Sequence, residues 1–214
     1  MELTRIIGKE RRSIFIISFI SLGLGLQFIS YAMSGEELSL FSGCAGVLAV
    51  VLCSLKKLSQ YIFSFTQLFT YVILAWEQRF YGEIAENAFY FVTMLFGIWF
   101  WIKGYSREKQ EINTLALGRK ARVVGMAGMI VLIIGLWLIL RMTDDSQPFL
   151  DSVSTVPAII GQVLLILRYR ENWICWLIID LASVWMWWCA GDLCMVSQFV
   201  FWSFNCLLGW KLWG

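Results

Sequence analysis

The sequence predicts an all-α, polytopic membrane protein of about eight transmembrane helices, and three observations carry that prediction. Of 214 residues, 59% are hydrophobic, 15% are charged and only two are proline. Mean hydropathy is +0.72, which is not the composition of a soluble domain. Apolar stretches near the roughly 20 residues needed to span hydrocarbon begin at Ser13, Leu40, Gln60, Glu83, Arg122, Ser152, Asn172 and Asp192. Charge is also sorted between alternate loops. With eight spans and a cytoplasmic N-terminus, the inside collects Arg5, Lys9, Arg11, Arg12, Lys56, Lys57, Lys103, Arg107, Lys109, Arg119, Lys120, Arg122, Arg168, Arg170 and Lys211. Only Arg79 and Arg141 fall outside. One span missed or invented would carry every later loop to the other side, so the asymmetry supports the count and predicts two cytoplasmic termini.

Taken in order, residues 1–35 hold a basic segment and an extra helix over 13–33. The basic run resembles the start of a signal peptide, but the helix is too long for a signal h-region and reads as retained. Residues 36–108 hold a first three-helix unit, with helices expected over 40–57, 59–77 and 83–104. Residues 109–145 form a linker with one helix over 121–141. Residues 146–214 hold a second three-helix unit, over 152–170, 172–190 and 192–213. The outer loops carry Glu36, Glu37, Glu77, Glu83, Glu86, Asp144, Asp145, Asp151 and Asp192, an acidic mouth that favours cations.

The two units repeat. An offset of about 112 residues, free of gaps, brings Lys56 onto Arg168, Gln60 onto Asn172, Tyr61 onto Trp173, Trp76 onto Trp188, Gly97 onto Gly209 and Trp101 onto Trp213. Three spans leave the chain on the opposite side and the linker helix returns it. The halves are therefore predicted to be parallel repeats about an axis along the membrane normal, a design that puts substrate at their interface near the midplane.

The stretch ENWICWLIIDLASVWMWW, residues 171–188, carries five tryptophans and one carboxylate in its interior, Asp180. At about 100° per residue, Trp173, Trp176 and Trp187 fall within roughly 40° of Asp180 on one helix face. A carboxylate at mid-bilayer costs about 2.5–3.5 kcal/mol on insertion scales, which makes it a functional candidate that faces a bundle interior or wet cavity. A flat organic cation complements both rings and charge. Trp188 is included with this wall, whereas Trp185 points away and suits an interfacial belt. Asp180 also admits a packing role, protonated or paired with a neighbouring helix. The repeat axis draws in further candidates: Gln67 nearly opposite Asp180, on a face with Gln60, Phe63 and Tyr71; Asn87 and Tyr90; Gln162; and Gln198, Trp202 and Asn205. Interhelical pairing alone would also satisfy each amide. Trp99, Trp101, Trp210 and Trp213 read as a belt at the cytoplasmic face.

Absences narrow the chemistry. The chain has no histidine, so imidazole zinc sites and histidine triads are excluded and no metal site is expected. No P-loop, GxSxG or HExxH occurs, so no cofactor or enzyme chemistry is indicated. The six cysteines lack metal spacing and read as apolar packing residues. The net charge of +2 is explained by orientation and calls for no nucleic-acid partner.

The runs RYRENWICWLIID (168–180), KKLSQYIF (56–63) and GIWFW (97–101) resemble the PnuC-type vitamin transporters, over about residues 40–214. The resemblance implies a core of three, one and three helices in a SWEET-like arrangement with the first helix added outside it. It also implies a homotrimer in the bacterial inner membrane. Its substrate would be nicotinamide riboside, taken up by facilitated diffusion and trapped inside by phosphorylation. Trp173 and Trp176 match the motif's tryptophans, Gln67 and Asn87 match positions where members carry an amide, and position 180 is Asn as often as Asp. Thiamine, another aromatic cation, is the alternative substrate. A membrane enzyme or a non-transporting assembly protein are the distant alternatives; the first needs clustered acids or a nucleophile with its base, and the second would not need a duplication around a polar axis.

Overall fold

In the computed structural model the described residues are 2–78, 81–108, 111–142 and 148–214, with side chains from Ser13 onward except at 81, 82, 85 and 151. They form α1 (Glu2–Ser34), α2 (Glu37–Ser54), α3 (Gln60–Glu77), α4 (Tyr81–Lys103), a hairpin of β1 (Tyr105–Ser106) and β2 (Glu111–Ile112), α5 (Arg119–Leu140), α6 (Pro148–Ile166), α7 (Asn172–Ala190) and α8 (Leu193–Trp213). Six of these helices are long and apolar enough to cross a membrane: α1 from Ser13, α2, α5, α6, α7 and α8. The other two, α3 and α4, carry inward-facing amides and carboxylates.

Helix contacts run from α2 to α3, α4, α6, α7, α8 and back to α2, closing a six-helix ring. Outside it, α1 lies along α2 and α8, and α5 lies along α6. No residue of α5 is buried, so its Val124, Val131 and Ile139 face outward. By contrast α1 anchors itself through Gln27, fully buried and hydrogen-bonded to Ser197 of α8 at 3.0 Å.

Helices α2 and α6 end three to four residues before their expected ends, at Ser54 and Ile166. The cause is local: Lys56 (φ 61) and Arg168 (φ 67) take the left-handed conformation without being glycine. Around Lys56, its N–H reaches the Cys53 carbonyl at 2.9 Å and the Lys57 N–H reaches Leu52 at 2.9 Å. Around Arg168 the same two bonds run to Leu165 at 3.0 Å and from Tyr169 to Leu164 at 2.8 Å. Both are Schellman caps, which absorb the orphan carbonyls of a helix C-terminus. An apolar pattern reveals no such stop when the capping residue is Lys or Arg.

The chain between α4 and α5 crosses the basic end of the ring. The Ile112 N–H donates to the Lys56 carbonyl at 3.2 Å, and Leu115 exchanges backbone bonds with Arg168 and Arg170 at 2.8 and 2.9 Å. The Thr114 hydroxyl donates to the Trp213 carbonyl at 3.1 Å. Glu171 accepts the Leu117 N–H at 3.1 Å and pairs with Arg122 at 3.1 Å. Ile112, Trp101 and Trp213 are all buried in one apolar cluster beneath this strap. The belt expectation is therefore corrected for Trp101 and Trp213, which are core residues. Trp99 is half exposed, with the Lys103 ammonium 3.4 Å from its ring centroid.

The acidic mouth is rearranged as well. Glu36, Glu37 and Glu77 are exposed, while Asp192 caps α8 by accepting from the Met195 N–H at 3.0 Å and from the Ser39 hydroxyl at 2.5 Å. Glu83 and Glu86 turn inward. Arg79, Lys109, Asp144, Asp145 and the side chains of Arg5, Lys9, Arg11, Arg12 and Asp151 lie outside the described residues.

Candidate functional site

Inside the ring is a cavity of about 160 Å³ that all six helices line. From α3 come Gln60, Tyr61, Ser64, Gln67, Leu68 and Tyr71, and from α7 come Trp173, Trp176, Ile179, Asp180 and Ser183. Apart from Gln60, these positions coincide in the repeat register: Tyr61 with Trp173, Ser64 with Trp176, Gln67 with Ile179, Leu68 with Asp180 and Tyr71 with Ser183. The true counterpart of Asp180 is thus Leu68, with Gln67 one residue away. On α4 and α8, Asn87 corresponds to Phe199, Tyr90 to Trp202 and Met94 to Cys206, and all six line the cavity.

Eight of the twelve expected residues meet here: Asp180, Trp173, Trp176, Gln67, Asn87, Tyr90, Gln162 and Trp202. Asp180 is only 2% exposed and accepts from the Cys206 thiol at 3.3 Å. Tyr90 meets Trp176 edge-on, ring centroids 5.8 Å apart. Gln162 donates to the Thr93 hydroxyl at 3.0 Å, and the Asn87 amide donates to the Glu83 carbonyl at 2.7 Å. The indole N–H groups of Trp173 and Trp202 are buried with no protein acceptor. A buried donor left so costs roughly 1–3 kcal/mol.

The other four do not reach the cavity. Trp187 is fully buried one layer behind, its indole N–H donating to the Tyr71 hydroxyl at 3.0 Å. Trp188 is 62% exposed on the outer surface, because at about 100° per residue it sits some 80° around from Asp180. Gln198 is fully buried against Gly46, outside the lining. Asn205 ties α8 to α2 through the Ser54 hydroxyl at 2.8 Å and the Val50 carbonyl at 3.2 Å. Helical register gives a face but not a depth, so residues one layer behind the wall read the same as the wall itself.

Glu83 and Glu86 were read as loop acids and are instead lining residues. Glu83 accepts from the Tyr71 hydroxyl at 2.9 Å, and Glu86 accepts from Tyr90 at 3.3 Å. The spacing Glu83, Glu86, Asn87, Tyr90, Met94 is one helical stripe, the signal by which the pair was recognisable. Three carboxylates therefore line the cavity, and among the described residues no Lys or Arg does. Among the described residues, no group of three or more His, Cys, Asp or Glu is arranged to hold a metal ion.

Residues 37–214 match the family model described as nicotinamide mononucleotide transporter. The chain is 27% identical to the nicotinamide riboside transporter PnuC of Haemophilus influenzae, covering 93% of this chain and 89% of that one. To the protein of the same name from Escherichia coli it is 24% identical, over 92% and 94% of the two chains. Among solved structures, the crystal structure of the vitamin B3 transporter PnuC superposes with a TM-score of 0.82 at 25% identity, covering 93% of this chain and 90% of that one.

Proposed function

The chain belongs to the nicotinamide mononucleotide transporter family, an integral-membrane transporter family, and on that premise we propose that it carries nicotinamide riboside across the bacterial cytoplasmic membrane by facilitated diffusion. The observation that carries the choice of substrate is the lining: indole rings and three carboxylates, with no basic side chain among the described residues. A pyridinium riboside is a cation and gains from both, through cation–π attraction and Coulomb attraction in a medium less polar than water. The 5′-phosphate of the mononucleotide would be repelled by those carboxylates and would find no described cation to offset them. Trp173 and Trp176 stack on the base, while Gln67, Asn87, Gln162 and Asp180 take the carboxamide and ribose hydroxyls. Thiamine shares the cationic ring and is the competing substrate.

In this reading eight helices span the membrane, α3 and α4 included, since 18 residues at about 1.5 Å each reach some 27 Å. The core is two parallel three-helix repeats, α2–α4 and α6–α8, with α1 added outside and α5 as the linker. Support comes from the paired caps at Lys56 and Arg168 and from the shared lining positions. Both termini are cytoplasmic, and the strap across the basic end is the inner gate, which parts as one half rocks against the other. Copies meet through the apolar face of α5 as a homotrimer, and phosphorylation inside the cell traps the vitamin.

The test is uptake of labelled nicotinamide riboside into liposomes holding the purified protein, competed by thiamine and by the mononucleotide. Uptake blocked by excess unlabelled riboside and untouched by the mononucleotide is expected. Micromolar or tighter thiamine transport without riboside transport would overturn the assignment.

A further inference from the structure

Between α4 and α8 the cavity departs from its own repeat symmetry. Of the positions on α4 and α8 that line it, Asn87, Tyr90 and Met94 have lining counterparts, but Glu83 and Glu86 do not. Their register partners, Met195 and Gln198, are fully buried in the protein and outside the lining. The first half alone therefore extends the chamber toward the start of α4, and it does so with two carboxylates. Glu83 stands in the first turn of α4, where the positive end of the helix dipole favours the anion. Glu86 lies about one turn deeper on the same stripe. Each accepts a hydroxyl from a tyrosine of the wall, Tyr71 and Tyr90, and Tyr90 meets Trp176 edge-on. Negative charge is thus held against the aromatic wall rather than dispersed at a mouth. Asp180 sits apart from this pair, on α7 at the Cys206 thiol.

We propose that Glu83 and Glu86 are specificity-determining residues that make the chamber choose a cationic aromatic riboside over a neutral one of the same shape. The proposal deepens the riboside reading and rests on it. Stacking and hydrogen bonding to carboxamide and ribose treat a pyridinium and a phenyl ring nearly alike, so discrimination between them is left to charge. Neither glutamate needs to touch the substrate's hydrogen-bonding groups for this, because Coulomb attraction acts over several ångströms where water is excluded.

The experiment measures binding of two ligands to the full-length protein in detergent: nicotinamide riboside and benzamide riboside, in which a neutral phenyl ring replaces the pyridinium. Wild type is expected to favour the cation by at least about tenfold, or about 1.4 kcal/mol. Glu83→Gln and Glu86→Gln each lower that ratio severalfold, and the double variant removes most of it while affinity for benzamide riboside holds. Tyr71→Phe and Tyr90→Phe, which keep the charge and remove the hydroxyl, leave the ratio near wild type. Equal loss of both ligands in the glutamine variants, or a ratio that falls as far in the phenylalanine variants, would reduce the glutamates to supports for the tyrosines and overturn the proposal. If wild type binds both ligands equally, the charge inference fails and the riboside reading stands. If it binds neither, the riboside reading itself fails and takes this inference with it.

Discussion

The turns that end α2 and α6 repeat each other bond for bond, whereas the walls that α3 and α7 present to the cavity share positions and almost no chemistry. Trp101 donates its indole N–H to the Leu165 carbonyl at 3.1 Å, and Trp213 donates to the Cys53 carbonyl at 3.3 Å. Donors and acceptors there are register partners, so each half holds the other by the same bond. In the cavity, Ser64 faces Trp176 and Gln67 faces Ile179 across that register. The first half brings three amides, three phenols, a serine and two glutamates; the second brings three indoles, a phenyl ring, one amide, one serine and one aspartate. In the proposed mode a frame of two like halves could rock, while their unlike linings would place the substrate's ring on the indoles of the second half and most of its hydrogen-bonding groups on the amides of the first.

The largest effect expected of that division is in ligand binding. Trp176→Ala removes a ring of the stacking wall and should weaken nicotinamide riboside by about 2–3 kcal/mol, from lost burial and cation–π attraction together. Gln67→Ala and Asn87→Ala each remove one or two hydrogen bonds and should cost about 1 kcal/mol. Isothermal titration with purified protein ranks them, and an amide substitution that costs more than the indole would reverse the proposed roles of the halves.

Next in size is a pair of glycines. A methyl group at Gly209 would enter the six-membered ring of Trp173, while one at Gly97 would lie 2.6 Å from the Tyr61 hydroxyl and 3.3 Å from Ile166. Trp173 is 2% exposed and packed edge-on against Trp213, centroids 5.5 Å apart, so it can yield only into the cavity it lines. Overpacking of this kind costs about 1–3 kcal/mol. Gly209→Ala should therefore reduce both thermal stability and riboside affinity, and Gly97→Ala should do less of each. Equal losses in melting temperature would mean that the two sites are as alike in packing as in sequence.

How far all this was legible in advance follows from what a linear pattern encodes. Span length and loop charge gave helices whose positions differ from the observed ones by at most four residues, because hydrocarbon thickness and the positive-inside rule act on composition, except that α1, expected from residue 13, is helical from Glu2 through its basic segment. The register from Lys56 to Trp213 was legible because basic, glycine and tryptophan residues recur in it. The face bearing Trp173, Trp176 and Asp180 was legible because helical rotation is regular. Depth was not: Trp187, Gln198 and Asn205 share that inward sense but pack behind the wall, and Trp188 faces out. Nor was the strap, whose bonds join Ile112 and Leu115 to turns more than 50 residues away in sequence. Glu83 and Glu86 stand in the first turns of α4, where an acid suits a solvated mouth as well as a chamber, and a linear pattern does not separate the two.

The frame itself is tested by Trp101→Phe and Trp213→Phe. Each keeps most of a buried ring and deletes one indole N–H, so the carbonyl of Leu165 or of Cys53 is left with its backbone cap bond alone. The expected loss is about 1 kcal/mol of stability in either case, read as matched falls in melting temperature. Marked inequality would mean that the basic end is not held symmetrically, and the rocking of two equivalent halves would lose its structural support.

The smallest effect is expected at Trp188→Ala, and its smallness carries information. Trp76 and Trp188 are register partners, 65% and 62% exposed, and neither lines the cavity. A tryptophan so placed contributes through the membrane interface, which changes depth and tilt rather than the chamber. Riboside affinity in detergent should therefore stay within about twofold of wild type, a difference of about 0.4 kcal/mol. A loss as large as that of Trp176→Ala would mean that residue 188 reaches substrate in some state of the cycle, and that the ring-bearing wall of the second half extends beyond the face bearing Asp180.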